Sequence, residues 1–600
     1  MSKQILTLFL VLCSTSRLVA EIPAELRLGR AGHAFDHLGG IGEQADAAAA
    51  SGATIIYTGG LGEAGYSGLP PQAEFAKLLN AGRDYSYRSK KQGIELSIGY
   101  LCATSIVKLD TFDKNWTKDF RDQFKTRPAE WRQQDRRGHP LASWYGGDYA
   151  PACMNNPDWR AYERAMVRYQ LETGHDGVFF DNPTVHPQGC YCWSCMNGFA
   201  AQLEAAGIPV PSPSSVTDVE QVEAIRRLAD AHPQEFLKFR GATARDFLAD
   251  MREFARSVNP RALVTCNNSL NSPDVLFSQA RTYGYNIFEM SKAEDFVVVE
   301  DMVSQPRTEP DGRVIEYGPT YKQLQAISHS KPIVAVTIAG GDYHTPANLM
   351  RLAMAEAAAN DASYLSWPTW PEAERTKMIA AVRPQADFLR RNEAILNDTP
   401  LRADVLLFLP FRRWVENETC AASNIAAALT KANVQYRVIC EDDLNALAKE
   451  EVHTTLVIES RSVLTPEEQA SIAALEKQGV LDVVTADGAN WLDDFIHSTH
   501  IQGSPLVRAV VHEQPHRTIV HLYNLNIQRL TSFEDKVTPA IDVGLSVRVP
   551  LKPEKVSIQT ADPSGTSGQL TAIISQQGDD IIVSTTVPRL EISAIVTIEQ

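Results

Sequence analysis

The sequence predicts an α/β protein: a (β/α)8 TIM barrel followed by a small flavodoxin-like α/β domain and a C-terminal β-sandwich. The chain has 600 residues, which is too long for a single hydrophobic core. Residues 32–367 alternate short apolar runs with longer amphipathic ones, a pattern typical of repeated βα units. Residues 505–600 instead carry short β-branched runs separated by turn residues, which indicates a sandwich.

Eight short apolar runs are predicted to be the barrel strands. They are residues 32–35, 54–57, 95–99, 177–180, 263–266, 286–288, 333–338 and 363–366. The two long connections, 102–156 and 183–235, follow the third and fourth strands. Barrel enzymes build their active sites from the loops at the C-terminal ends of the strands, so we expect the site there.

The predicted boundaries are 1–20 for a signal peptide, 21–398 for the barrel, 399–500 for the flavodoxin-like domain and 501–600 for the sandwich. Lys3, the apolar run 5–12 and the Leu18-Val19-Ala20 site are typical of a signal peptide, so we expect an exported, periplasmic or extracellular protein. That run is too short to span a membrane, and no later segment has the length of a membrane span. Residues 400–492 lack a glycine-rich phosphate loop, so we expect packing or oligomerisation there.

The net charge of −16 argues against a nucleic-acid partner, because neutralising phosphates requires a basic face. This charge is compatible with a neutral glycan as substrate. An anionic glycan would need a local basic pocket, and the sequence does not reveal one.

Asp181 is the first candidate catalytic residue. It comes directly after the run 176–180, and Pro183 follows two residues later. A carboxylate at the end of the fourth strand is predicted to lie at the barrel mouth, where catalytic residues of this fold are found. The alternative is that Asp181 only caps the following turn.

Other candidates lie at further strand ends. Glycoside hydrolysis needs a second carboxylate. Glu289, after the predicted sixth strand, is the first choice for the acid/base, and Asp342 is the next. Polar residues expected to hold sugar hydroxyls and aromatic residues expected to stack on a sugar ring are His33, Asp36, Trp144, Asn182, Asn268, Asp342 and Trp367. For each of them an ordinary loop or packing role is the alternative.

Cys190, Cys192 and Cys195 place three thiols within six residues. Thiolates at this spacing can occupy three corners of a tetrahedral zinc site, and Cys153 is predicted to supply the fourth, with His186 as the alternative. Four thiolates leave no open position for water, so the zinc would be structural. A disulfide plus a free thiol, or three buried small residues, are the competing interpretations.

The stretch from Asp181-Asn182 through Cys190-Tyr191-Cys192-Trp193-Ser194-Cys195 to Phe199 resembles the β-galactosidases of glycoside hydrolase family 42. The resemblance implies the same order of barrel, flavodoxin-like trimerisation domain and C-terminal β-domain, and a homotrimer or homodimer. In that family an Asn-Glu pair ends the fourth strand, its Glu being the acid/base, and the cysteine run helps to bind zinc. Counting back from Cys190, the family's Glu falls on Asn182, and an amide cannot be a general acid.

A fourth strand that ends in Asp is also similar to α-galactosidase and α-fucosidase barrels, in which this Asp is the nucleophile. In the α-galactosidases the acid/base lies on the sixth strand. By that placement analogy we expect a glycosidase that removes a terminal sugar, with Asp181 as nucleophile and Glu289 as acid/base. The alternatives are a non-catalytic glycan-binding or assembly protein, suggested by Asn182, and a polysaccharide lyase.

Overall fold

The structure is a computed structural model. It describes residues 22–36, 42–58, 61–143, 146–211, 218–268, 276–301, 305–337, 339, 342–368, 370–417, 421–447, 454–488, 490–493, 497–578 and 580–600. The predicted signal peptide, residues 1–20, lies outside these ranges, and so does Trp144. Asp36 is described as part of a strand, whereas its side chain is outside the described part.

The predicted barrel is confirmed as an eight-stranded parallel sheet that closes on itself. Its strands are β1 (His33–Asp36), β2 (Ile55–Thr58), β3 (Leu96–Cys102), β4 (Gly177–Asp181), β5 (Leu263–Cys266), β6 (Val297–Asp301), β7 (Ile333–Thr337) and β8 (Ala362–Ser366). The order is β5-β4-β3-β2-β1-β8-β7-β6. A parallel bridge between Asn267 and Val298 closes the gap between β5 and β6.

The predicted sixth strand is wrong. Residues 287–290 form a short helix, and the Asn286 side chain caps it by accepting a hydrogen bond from the Glu289 backbone N–H. The sixth strand is Val297–Asp301 instead. Its Val-Val-Val run suits a parallel strand buried on both faces.

Side chains that point into the barrel alternate along each strand. Phe35, Tyr57, Ile98, Phe179 and Val298 belong to one buried cluster inside the barrel. Because strand side chains alternate with a period of two, the residue two positions after an inward-pointing one also points inward. On β4 and β6 this rule directs Asp181 and Glu300, two residues beyond Phe179 and Val298, towards the mouth.

Helices surround the barrel and continue into the C-terminal half. They are α1 (Gly42–Ser51), α2 (Gly62–Ser67), α3 (Gln72–Lys91), α4 (Lys118–Arg121), α5 (Pro157–Glu172), α6 (Trp193–Ala205), α7 (Asp218–Ala231), α8 (Pro233–Val258), α9 (Leu276–Tyr283), α10 (Ile287–Met290), α11 (Gly318–Ile327), α12 (Ala347–Ala359), α13 (Glu372–Arg391), α14 (Glu393–Leu396), α15 (Phe411–Asn417), α16 (Ala422–Lys431), α17 (Glu441–Leu447) and α18 (Pro466–Lys477). None of the described helices is long and apolar enough to cross a membrane.

Beyond the barrel, a four-stranded parallel sheet matches the predicted flavodoxin-like fold. Its order is Tyr436–Ile439, Val405–Phe408, Thr454–Ile458, Leu481–Thr485. The first strand in sequence thus lies inside the sheet, as doubly wound folds require.

The C-terminal part is the predicted all-β sandwich, with two larger antiparallel sheets around a separate apolar core. One sheet orders its strands Thr499–Gln502, Ala540–Val549, Asp580–Leu590, Ala572–Gln577. The other orders them Val507–Gln514, Arg517–Asn524, Ser593–Glu599, Lys555–Gln559, Gly568–Gln569. A two-stranded hairpin, Ile527–Arg529 with Asp535–Val537, stands apart from both sheets.

Candidate functional site

Asp181 lies at the end of β4 and is half-buried. Its carboxylate accepts hydrogen bonds from Tyr100 Oη at 2.7 Å, Asn267 Nδ2 at 3.0 Å, and both the backbone N–H and the Nδ2 of Asn182 at 2.9 Å. Asn182 has φ of +50°, a left-handed conformation that asparagine tolerates better than most residues. These donors orient the carboxylate and stabilise its negative charge.

Glu300 on β6 is the second carboxylate of the site. The Asn267 amide joins it to Asp181, since Nδ2 lies 2.7 Å from Glu300 Oε2 and 3.0 Å from Asp181 Oδ1. One nitrogen contacts both oxygens, so these oxygens are less than about 6 Å apart, which is shorter than the separation of about 6.5–9.5 Å found in inverting glycosidases. β4, β5 and β6 therefore bring one carboxylate pair together at the barrel mouth.

The two carboxylates have different surroundings. Burial, and secondly the charge of Asp181, raise the pKa of Glu300 from 4.5 to about 7. Asp181 has four hydrogen-bond donors, whereas Glu300 contacts only Asn267 and, at 3.5 Å, Tyr343 Oη among the described side chains. A carboxyl group that changes protonation near neutral pH can both donate and accept a proton.

An aromatic surface borders Glu300. The rings of Tyr343 and Trp367 have centroids 4.3 Å apart, and Trp367 continues to Phe35 at 4.5 Å. Tyr343 is 36% exposed and Trp367 is half-buried, so this surface is open to solvent. Trp367 thus packs on Tyr343, whose hydroxyl reaches Glu300, and such an exposed pair of aromatic rings can stack on a sugar.

Glu289 does not lie at a strand end. It belongs to α10, where its carboxylate accepts hydrogen bonds from Arg245 at 2.5 Å and Lys292 at 2.7 Å. Burial alone would raise the pKa of Glu289, but the hydrogen bonds and charges of Lys292 and Arg245 lower it. The prediction of Glu289 as acid/base rested on the wrong sixth strand, and the residue at the corresponding inward position of the true strand is Glu300.

Asn268 was predicted to bind sugar hydroxyls, but it is fully buried. Its amide donates to the Glu294 carboxylate at 2.9 Å and to the Val298 carbonyl at 3.2 Å. Its neighbour Asn267 is the amide that donates hydrogen bonds to the Asp181 and Glu300 carboxylates. Asn267 and Asn268 directly follow β5 and continue its alternation, in which adjacent side chains point to opposite faces of the sheet.

His33 is also buried rather than exposed at the mouth. It begins β1, and its Nδ1 lies 2.9 Å from Tyr57 Oη inside the barrel. Burial lowers the pKa of His33 to about 3, so the imidazole is neutral at physiological pH. Its predicted contact with sugar hydroxyls is therefore not supported by its position.

Asp342 contacts the C-terminal part of the chain. Its carboxylate accepts hydrogen bonds from Arg529 Nη2 at 2.6 Å and Ser532 Oγ at 2.7 Å. Burial alone would raise the pKa of Asp342. The pKa is lowered instead by hydrogen bonds from Ser532 and the His344 N–H and by the charge of Arg529. Its partners make Asp342 an anchoring residue rather than a free ligand for substrate.

Cys153, Cys190, Cys192 and Cys195 converge, with all four sulfurs within 4.8 Å of one another. Cys153 Sγ is 3.5 Å from Cys192 Sγ and 3.4 Å from Cys195 Sγ, distances far too long for a disulfide. Sulfurs at the corners of a zinc tetrahedron lie about 3.8 Å apart, since each Zn–S bond is about 2.3 Å. The donor set and its spacing therefore fit a tetrahedral zinc ion.

Two further groups support the cluster. Asn155 Nδ2 donates to Cys195 Sγ at 3.4 Å, and the Gln134 backbone N–H donates to Cys190 Sγ at 3.4 Å. Such N–H donors stabilise thiolates and orient them towards a metal. All four cysteines are buried, so they would form a closed structural site with no open position.

Sequence reasoning missed Glu300, Tyr100 and Tyr343. The signal for Glu300 was present, because the run Val297-Val298-Val299 is a strand pattern followed by two carboxylates. Tyr100 follows from the same inward alternation on β3, two residues after Ile98. Nothing in the local sequence marks Tyr343, which reaches the site from the loop after β7.

No family model matches the chain, and no curated protein matches its sequence. Solved structures do match its fold over nearly its whole length. An α-L-fucosidase (isoenzyme 2) from Paenibacillus thiaminolyticus aligns with a TM-score of 0.61 at 12% identity, covering 94% of this chain and 99% of that one. A β-galactosidase from Rahnella sp. R3 gives 0.57 at 11% identity, covering 96% and 99%.

A GH42 β-galactosidase from G. stearothermophilus gives a TM-score of 0.55 at 11% identity, covering 93% of this chain and 95% of that one. At such low identity these matches show the fold alone. They confirm, at that level, the resemblance to GH42 β-galactosidases, and they extend it to other glycoside hydrolases. The chain therefore has a glycoside-hydrolase-like fold, with a TIM barrel, a flavodoxin-like sheet and a C-terminal β-sandwich.

Proposed function

We propose that the chain is a retaining glycoside hydrolase in which Asp181 is the nucleophile and Glu300 the general acid/base. One observation carries the proposal: a single amide, Asn267 Nδ2, contacts both carboxylates, at 3.0 and 2.7 Å. Two carboxyl groups this close have no room for a water molecule on the opposite face of the sugar, as inversion would require. The short separation favours attack by the carboxylate itself.

The different surroundings of Asp181 and Glu300 suit the first to the role of nucleophile and the second to that of acid/base. In the first step Asp181 attacks the anomeric carbon, the glycosidic C–O bond breaks, and protonated Glu300 gives its proton to the leaving oxygen. In the second step ionised Glu300 takes a proton from water, whose oxygen displaces Asp181 and releases the sugar. A pKa of about 7 allows Glu300 to serve in both steps, and the donors around Asp181 hold the nucleophile in place.

The charge at the site favours a neutral sugar. In the described part of the chain, every hydrogen-bond donor to Asp181 and Glu300 is an uncharged amide, peptide or hydroxyl group. Carboxyl groups whose described donors are all uncharged repel the carboxylate of a uronic or sialic acid when they are ionised. The aromatic surface of Tyr343 and Trp367 provides the apolar face on which a pyranose ring can lie.

The first experiment is hydrolysis of 4-nitrophenyl glycosides of neutral sugars, in both anomeric series. We expect turnover of one sugar by the unmodified protein, and a loss of at least 100-fold in Asp181→Ala and Glu300→Ala. Glu289→Gln is the matched control, because that carboxylate is paired with Arg245 and Lys292 outside the site, and it should retain full activity.

Azide separates the two roles in the same variants. With Glu300→Ala, azide should restore turnover of an activated glycoside and give a glycosyl azide with the configuration of the substrate. With Asp181→Ala, the azide product should have the opposite configuration, because azide then replaces the nucleophile. Turnover that survives either alanine substitution in the absence of azide would contradict the assigned roles. Glycan binding without any turnover by the unmodified protein would favour a binding protein.

We also propose that Cys153, Cys190, Cys192 and Cys195 bind one zinc ion. Zinc would join the loop that follows Asp181 to the long loop after β3, without taking part in the chemistry. Elemental analysis of the purified protein should give one zinc per chain, and Cys195→Ala should lose it. Purified protein without metal and with a disulfide at Cys153 would refute the zinc site.

A further inference from the structure

The hairpin formed by Ile527–Arg529 and Asp535–Val537, here called the 527–537 hairpin, packs against the barrel. Asp535 accepts hydrogen bonds at 2.9 and 2.8 Å from the backbone N–H and side-chain amide of Asn348, at the start of α12. At the hairpin's other side, Thr308 Oγ1 donates to the Leu525 carbonyl at 2.7 Å. These contacts fix the hairpin to the loops that follow β6 and β7.

Arg529 in this hairpin holds both neighbours of Tyr343. Its Nη2 donates to Asp342 Oδ2 at 2.6 Å and to the His344 carbonyl at 3.0 Å. The side chain of Arg529 is only 13% exposed and that of Asp342 is 32% exposed, so water reaches this charged contact mainly from the Asp342 side. Ser532 Oγ adds a hydrogen bond to Asp342 at 2.7 Å, and the Phe533 ring lies 4.9 Å from that of His344.

Tyr343 lies between Asp342 and His344, the two residues that Arg529 contacts, and its side chain reaches the candidate active site. After β7 the Asp342 N–H donates to the Ala339 carbonyl at 2.9 Å, and Tyr343 follows directly. Its Oη lies 3.5 Å from Glu300 Oε1, and its ring packs on Trp367. The position of this hydroxyl therefore depends on residues whose anchors lie in the C-terminal part of the chain.

We infer that Arg529 is a positioning residue of the active site: through Asp342 and His344 it fixes Tyr343 against Glu300 and Trp367. This inference rests on the proposed role of Glu300 as acid/base. It gives the C-terminal part a function beyond covering the barrel, since the 527–537 hairpin holds the residues on either side of Tyr343. The Tyr343 hydroxyl then stabilises ionised Glu300 in the step in which Glu300 accepts a proton from water.

The kinetic test compares Arg529→Met, Tyr343→Phe and the double variant, on the aryl glycoside that the unmodified protein hydrolyses. Arg589→Met is the control, because Arg589 pairs with Glu591 within the C-terminal part. We expect Arg529→Met to lower kcat by about 10- to 100-fold, since small misplacements of catalytic groups have effects of this size. The double variant should be no worse than Tyr343→Phe alone.

The pH profile distinguishes positioning from a general loss of stability. Without the Tyr343 donor, the basic limb of kcat/KM, which reports the pKa of Glu300, should move to higher pH in Arg529→Met and Tyr343→Phe alike. An unmoved limb, or independent effects that multiply in the double variant, would overturn the inference.

A second readout needs no substrate. Hydrogen–deuterium exchange of a peptide spanning 342–350 should become faster in Arg529→Met and stay unchanged in Arg589→Met. If the unmodified protein hydrolysed none of the glycosides, the proposed function would fail, while this exchange experiment would still decide whether Arg529 holds Tyr343. Unchanged exchange in Arg529→Met would overturn the inference by itself.

Discussion

Replacing Glu300 with glutamine is expected to make the protein more stable at alkaline pH while removing its activity. Glutamine has nearly the shape of glutamate, and its oxygen can still accept the hydrogen bond from Asn267. Burial and the charge of Asp181 raise the pKa of Glu300 from 4.5 to about 7. The folded state therefore resists ionisation of this carboxyl group, and the substitution removes that cost.

The size of the effect follows from the pKa. A tenfold change in proton affinity corresponds to about 1.4 kcal/mol, so keeping Glu300 ionised costs the folded state about 3 kcal/mol. The folded-state pKa lies above the unfolded one. Stability is therefore lost as pH rises from about 4.5 to about 7 in the unmodified protein, and Glu300→Gln abolishes this loss.

Urea unfolding at pH 5 and pH 8 measures the difference. The free energy of unfolding of Glu300→Gln, relative to the unmodified protein, should rise by about 2.5 kcal/mol between these values, because a small part of the cost is already present at pH 5. Glu289→Gln is the control with the opposite sign, because Lys292 and Arg245 lower the pKa of Glu289 and its charge stabilises the fold at pH 8. A Glu300→Gln difference that is the same at both pH values would refute the reasoning.

Three further predictions concern the same site and the cysteine cluster. Asp181→Asn removes the charge next to Glu300 and should therefore lower the pKa of Glu300. In the same urea series, the pH range over which ionisation of Glu300 lowers the free energy of unfolding should move to lower pH. Asn267→Ala should lower kcat by about 10- to 100-fold, because it frees both carboxylates, and steady-state kinetics would measure this. Removing metal with a strong chelator should lower the thermal midpoint, whereas the same treatment of Cys195→Ala should leave the midpoint unchanged.

Most of the barrel follows from its hydrophobic pattern, because each parallel strand is a short buried run between amphipathic helices. The sixth strand was misplaced because two segments looked alike. Tyr285–Met290 and Val297–Asp301 are both apolar runs that reach a glutamate. The first forms a helix because Asn286 caps it, and the second, richer in β-branched residues, forms the strand.

The site depends on details that one-dimensional patterns determine less well. Asn267 and Asn268 are adjacent and identical in type, yet the alternation that continues past the end of β5 directs one to the carboxylates and the other to Glu294. Tyr343 depends on a contact with Arg529, nearly 190 residues later in the chain, which no local pattern encodes. Asp181 and the cysteine run were identified because a strand end and a thiol spacing are themselves local features.

Some sequence-based expectations stay predictions. They are the cleaved signal peptide at residues 1–20, export to the periplasm or beyond, the exact domain boundaries, and assembly into a homodimer or homotrimer. The substrate-binding roles of Asp36 and Trp144 belong to the same group, because the side chain of Asp36 and all of Trp144 lie outside the described part of the chain.

Covalent trapping of the glycosyl intermediate tests the central claim most directly. Once the glycoside panel identifies the sugar, an activated 2-deoxy-2-fluoro derivative of it slows both steps and allows the intermediate to accumulate. Mass spectrometry of the digested protein should find one sugar on Asp181 and none on Glu300 or Glu289. A sugar on another carboxylate, or turnover of this reagent without any adduct, would contradict Asp181 as the nucleophile.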